Sequence, residues 1–187
     1  RVEGPAAEPA NTQVPWPDAA LEAVAQAQGL WNTGARESAL ALLRDALAGV
    51  ERNHAAELPA GGPGAAAGLV MVSELVRMEM VLTHHAEVLA VLKRHERVWA
   101  GQADLWAVRG SAAQRLSQHA ESAQAYLMAL KVRPGEPRWM LGAAVSLAAQ
   151  GQAGQAADLV ERARAISVVS PEVLAYLRQL GVPMRER

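Results

Sequence analysis

The chain has no cysteine and no phenylalanine, and only 4% of its residues are aromatic. Without cysteine there is no disulfide framework, no thiolate zinc site and no thiol nucleophile, while the compartment stays open. The shortage of aromatics argues against a β-sandwich, whose strands draw on β-branched and aromatic side chains. Charge of one sign is also lacking. The formal net charge is −1, so no global field steers the chain to nucleic acid or to an anionic membrane. No apolar run approaches the roughly 18 residues that mark a membrane span. The chain begins with Arg1 rather than Met, so it reads as a piece of something longer, and a missing leader or anchor says little.

What is present is an alanine-rich hydrophobic half, 51% of the residues, which suits thin, closely approaching helices. Residues 1–17, RVEGPAAEPANTQVPWP, have no periodicity and read as a Pro/Ala-rich linker. Trp16, between two prolines, either docks or belongs to that linker. Asp18 is the expected N-cap of a helix to Asn32, which NTGARE breaks. The next helix places Leu40, Leu43, Ala46, Leu47 and Val50 on one face, so 18–53 is a helical hairpin.

Residues 54–68 centre on Gly-Gly-Pro-Gly and are expected to form a flexible connector. The spacing of a phosphate loop, with its Lys and Ser/Thr, is absent. Helices resume over 69–83 and 86–100, then as the pairs 103–116 with 119–132 and 137–149 with 153–167. Ser170 is an N-cap before Pro171, opening a last helix that Gly181 and Pro183 close, and 183–187 is a tail.

The hairpins recur with a period of 34 residues: 69–102, 103–136 and 137–170 run end to end, and 20–53 has the same length. The 103–136 window carries Trp106, Gly110, Ser122, Tyr126, Ala129 and Pro134. The 137–170 window carries Met140, Ala144, Leu147, Gly151, Ala156, Val160 and Ala163. The 20–53 window carries Ala27, Leu30, Gly34, Ala39, Leu43 and Ala46, and the 69–102 window, the poorest, has Val88, Leu92 and Thr83 at its turn. Small residues at Gly110, Ala113, Ser122 and Ala129 are close-approach points, and Tyr126 fills a gap between hairpins. This pattern resembles the tetratricopeptide repeat, with departures at Arg109 and Ala113. The resemblance implies an all-α solenoid of about four helix pairs, with 69–182 as three in-phase repeats plus a capping helix.

Chemistry is sparse. His84-His85 is expected at a turn with His95 in the next helix; His54 and His119 are isolated, and HExxH is absent. No serine sits in a G-x-S-x-G elbow. Glu74 and Glu79 are expected on solvated faces or in local salt bridges. Lys93, Arg94 and Arg97, and Arg162 with Arg164, lack interleaved aromatics, so no nucleic-acid partner is expected. No catalytic residue, cofactor or metal is expected, and the chain is not read as an enzyme.

In the resemblance's phase, the first helix of each pair lines a concave groove for a partner's peptide or helix. The implied partner-facing positions are Arg77, Asp104, Ala107, Ser111, Gln114, Arg138, Leu141 and Val145. A Lys/Asn clamp for a partner's terminal carboxylate has no counterpart, because Ala107, Ser111, Leu141 and Val145 stand there. Trp139 either packs between repeats or stands as an aromatic anchor.

The stretch PRWMLGAAVSLAAQGQAGQAADLVERARA, the tail SPEVLAYLRQLG and the preceding ELVRMEMVLTHHAEVLAVLKRH are more particular. Together they resemble the periplasmic C-terminal region of MshN-type proteins, which serve biogenesis of the mannose-sensitive haemagglutinin (MSHA) pilus, a type IV pilus. That resemblance implies a scaffold on the periplasmic side of a bacterial inner membrane, anchored by an upstream helix and bound to a pilus or secretion component. The alternative is a soluble cytoplasmic regulator or chaperone. Apolar repeat ends leave a homodimer open.

Overall fold

The computed structural model describes residues 13–59 and 61–186, so most of the expected linker, residues 1–12, lies outside the described residues. The regular structure is helical throughout, and no strand occurs among the described residues. The chain divides into two compact units, Arg1–Gly68 and Leu69–Arg187.

In the first unit, α1 (Trp16–Asn32) packs on α2 (Arg36–His54). Buried Ala20, Val24 and Ala27 on α1 and Ala39, Leu40, Leu43 and Leu47 on α2 form the core. The expected N-cap Asp18 lies inside the first turn instead, and Pro15 holds the cap position. Pro17 explains the earlier start: its fixed φ suits the first turn of a helix, where a missing N–H costs nothing. Asp18 there still favours the helix, as a negative charge near the N-terminal end of the dipole.

Trp16 docks. Its indole Nε1 donates to Glu57 Oε2 at 2.6 Å, and its ring stacks on His54 with centroids 5.1 Å apart. The indole hydrogen bond, then that of His54, holds the Glu57 carboxyl below its ordinary pKa. Beneath the ring lies Gly64, where a Cβ would stand 2.8 Å from Trp16 Cζ2. The segment expected as a flexible connector turns over 55–59 and enters α3 (Gly62–Val81). Pro63 suits the first turn, and Ala65, Ala66 and Ala67 are strong helix formers.

In the second unit the run expected as one helix over 86–100 is two: α4 (His85–Arg94) and α5 (Glu96–Trp99). Trp99 explains the break. Its buried indole Nε1 donates to Leu92 O at 2.8 Å, the carbonyl that a continuing helix would have bonded. Then α6 (Ala103–Arg115) packs on α7 (His119–Val132), α7 on α8 (Pro137–Ala149), and α8 on α9 (Ala153–Ile166). Ser170 Oγ accepts from Val173 N at 3.3 Å and caps α10 (Pro171–Gln179), which packs against α8.

The 34-residue spacing is written into the backbone. Thr83, Ser117 and Gly151 have φ of 58°, 57° and 78°, and Gly34 takes 90° at the same place in the 20–53 window. Each turn makes the same pair of bonds. For Ser117 they are Ser117 N to Gln114 O at 3.0 Å and Gln118 N to Ala113 O at 2.8 Å; for Gly151 they are Gly151 N to Ala148 O and Gln152 N to Leu147 O, both 2.9 Å. The second bond reaches back five residues and satisfies a carbonyl the helix end would leave open. The residue after each turn, Ala35, His84, Gln118 or Gln152, has φ between −80° and −94°, and its carbonyl accepts the first bond of the next helix.

Candidate functional site

The site is built on α6 and α8, held beside each other through α7. Tyr126 of α7 reaches both. A Cβ at Gly110 on α6 would stand 2.7 Å from Tyr126 Cδ2, and one at Gly142 on α8 would stand 2.6 Å from Tyr126 Cζ. Only glycine admits the ring at those distances. Gly142, the second of the pair, carries no mark in the sequence pattern.

A polar ladder runs through the same contact. Ser122 Oγ donates to Gly110 O at 2.8 Å, and Ser146 Oγ donates to Ser122 Oγ at 2.8 Å. Gln114 Nε2 donates to Ser146 Oγ at 2.9 Å and to Gly142 O at 3.0 Å. Ser122 and Ser146 are fully buried, so the ladder satisfies groups that would otherwise be costly. Gln114, expected to face a partner, is committed to this tie between α6 and α8.

Above the ladder opens a groove of about 400 Å³, lined by Met80, Asp104, Ala107, Val108, Ser111, Tyr126, Arg138 and Trp139. Five positions singled out in the sequence therefore converge: Asp104, Ala107, Ser111, Arg138 and Trp139. Leu141 and Val145 are half-buried on α8 and are not among the lining. Arg77 bonds Glu74, with Nη2 to Oε1 at 2.5 Å. Trp139 is 7% exposed, so it is chiefly a packed residue that shows an edge to the groove.

Arg133, at the end of α7, touches two of the lining residues. Its Nη2 donates to Asp104 Oδ1 at 2.7 Å, and its guanidinium lies 4.6 Å from the centroid of Trp139. Asp104 is thus matched within the chain. Arg138, exposed on the first turn of α8, has no ion-pair or hydrogen-bond partner among the described residues. Burial raises the pKa of the Tyr126 phenol, against the smaller opposing effects of the Ser111 hydroxyl and of the Arg115 charge. Met80 and Val108 were not readable as groove residues, since they lie outside the first-helix phase.

Arg109, unexplained by the repeat pattern, belongs to a separate network. Its Nε donates to Glu121 Oε1 at 3.1 Å, its Nη1 to Glu96 Oε2 at 3.0 Å, and its guanidinium lies 5.3 Å from the Trp106 ring. Lys93 Nζ adds a contact to Glu121 Oε2 at 2.9 Å. Burial alone would raise the Glu121 pKa, but the hydrogen bonds and charges of Lys93 and Arg109 outweigh it and leave the carboxyl below its ordinary value.

Of the two settings expected for Glu79, a solvated face or a local pairing, the structure shows the pairing. Glu79 is fully buried, with His84 Nδ1 2.6 Å from its Oε2. His84 caps α4 and His85 opens it, while His95 is buried at the α4–α5 break. No group of three His, Asp or Glu among the described residues is arranged to hold a metal ion. None of the described helices is long and apolar enough to cross a membrane. No family model matches the chain, and no curated protein matches it.

Proposed function

We propose that the chain is a non-enzymatic adaptor of the tetratricopeptide type, a solenoid that holds a segment of another protein in the groove between α6 and α8. The observation that carries this reading is the groove itself. Five residues from the first helices of two consecutive 34-residue windows meet there, and no element among the described residues fills it. The repeated left-handed turn at Thr83, Ser117 and Gly151 supports the solenoid part. The resemblance to MshN-type proteins supports a setting in biogenesis of an MSHA-type pilus or a related secretion machine, on the periplasmic side of the inner membrane.

Arg138→Glu with Ala107→Asp, both at lining positions, tests the binding role. Capture of the partner in a pull-down should be lost while helicity is retained. Retained capture with retained helicity places binding elsewhere and refutes the groove reading. The setting is tested separately: an apolar run of about 20 residues upstream in the full-length protein supports the envelope setting, and its absence supports a cytoplasmic regulator.

A further inference from the structure

We propose that the α6–α8 groove recognises an internal Asp or Glu side chain of an extended partner segment, seated on Arg138, with a neighbouring aliphatic side chain over Met80 and Val108. This rests on the adaptor reading above and names its ligand chemistry. The charge balance of the groove carries the inference. Asp104 is matched by Arg133 at 2.7 Å, so its carboxylate is taken within the chain. Arg138 has no such match among the described residues, yet it lines the same groove. An unmatched guanidinium beside an apolar floor is complementary to a carboxylate, whose two oxygens fit the planar donor fork. The floor of Met80, Ala107 and Val108 adds a requirement for an apolar neighbour.

The carboxylate is a side chain rather than a chain end. A terminal carboxylate in a groove is gripped by several convergent donors, and Ala107 in the lining and Leu141 and Val145 beside it offer none. The ligand is a polypeptide rather than nucleic acid, because Arg138 is the single unmatched cation in the lining and successive phosphates need a row of them.

The test uses the whole 187-residue chain and labelled peptides in fluorescence anisotropy. One peptide repeats Ala-Glu-Leu and is capped at both ends; a second replaces every Glu with Gln; a third has no acidic side chain but a free C-terminus. The capped Glu peptide should bind, with affinity that falls as salt rises. The Gln peptide should bind about tenfold more weakly. Arg138→Gln should impose a similar loss on the Glu peptide and no further loss on the Gln peptide. Unchanged affinity in Arg138→Gln, preference for the free C-terminus, or no binding by the Glu peptide overturns the inference.

Ala107→Trp, which fills the groove, separates this inference from the adaptor reading, with Ser111→Trp as the second blocking variant if the first does not fold. If the blocking variant abolishes binding and Arg138→Gln leaves it intact, the adaptor reading stands and the acidic ligand falls. If neither alters binding, both fall.

Discussion

Gly110→Ala offers a sharp test of how α6, α7 and α8 are held together. The added methyl would stand 2.7 Å from Tyr126 Cδ2 and 2.9 Å from Cε2 and Cγ, well inside ordinary carbon contact. The ring has little room to retreat, because Gly142 already lets α8 approach the same ring. Nor is the backbone free, since Gly110 O and Gly142 O accept bonds from Ser122 and Gln114 at 2.8 Å and 3.0 Å. Overpacking of this kind costs about 2 kcal/mol. Ala is a better helix former than Gly by about 1 kcal/mol in a helix interior. The net effect should be destabilisation by about 1 kcal/mol.

The sign should reverse when the ring is gone. In a Tyr126→Ala background, itself about 3 kcal/mol less stable, Gly110→Ala should stabilise by about 1 kcal/mol. The coupling between the two positions is then about 2 kcal/mol. Urea unfolding followed by circular dichroism measures all four variants, with equal m-values as the check that each exposes the same surface. A stabilising Gly110→Ala in the presence of Tyr126, or a coupling below about 0.5 kcal/mol, would refute the wedge.

Three further outcomes are expected. Ser122→Ala should cost about 1 kcal/mol in urea unfolding, because it removes the side-chain donor to Gly110 O and leaves the buried Ser146 O–H without its acceptor. At the turns, Gly151→Ala should cost about 1 kcal/mol and lower the melting temperature, whereas Ser117→Gly, at φ 57°, should be neutral or slightly stabilising. The Glu121 carboxyl has a folded-state pKa below its unfolded value, so its stabilisation is present above the ordinary carboxylate pKa and lost as pH falls through the lower folded one. Melting temperatures of Glu121→Gln should therefore fall below wild type near neutrality and converge with it as the pH drops through that range.

Much of the fold was legible because the features that write it are local. A left-handed turn needs Gly or a tolerant residue, and Gly34 and Gly151 announce theirs; Thr83 and Ser117 do the same work with less signal. Ser170-Pro171 announces a helix start through its own hydroxyl and a fixed φ. The α4–α5 break was not legible, because nothing near His95 disfavours a helix; the cause is the Trp99 indole taking Leu92 O from within the packed unit. Asp18 was misplaced as a cap although Pro17, suited to a first turn, already marks the earlier start; the docking of Trp16 on Glu57, 41 residues away, is what a local reading does not show.

The candidate site divides in the same way. The phase of the repeat resemblance put Asp104, Ser111 and Arg138 on the inward side of first helices, Asp104 and Arg138 at corresponding positions, and the folded chain brings all three to one groove. Periodicity could not tell which of them remain available. Gln114 is spent on Ser146 and Asp104 on Arg133, through partners that only packing supplies, while Arg77 bonds Glu74 one turn earlier on its own helix. Glu79 shows the same limit from the other side: an acidic side chain amid Met78, Met80 and Val81 lies in the core, where the turn after α3 sets His84 2.6 Å from it.

By itself, then, the sequence determined helices, turns and their 34-residue recurrence, since these depend on propensity and backbone strain within a few residues. Tertiary structure decided which polar side chains are spent on the chain itself. Pairings such as Arg109 with Glu121 and Glu96, or Gln114 with Ser146, join different helices, and whether a charge is matched depends on what packing sets beside it. Arg138 is defined as a candidate ligand contact only by that accounting, as the groove's cation that packing leaves unmatched.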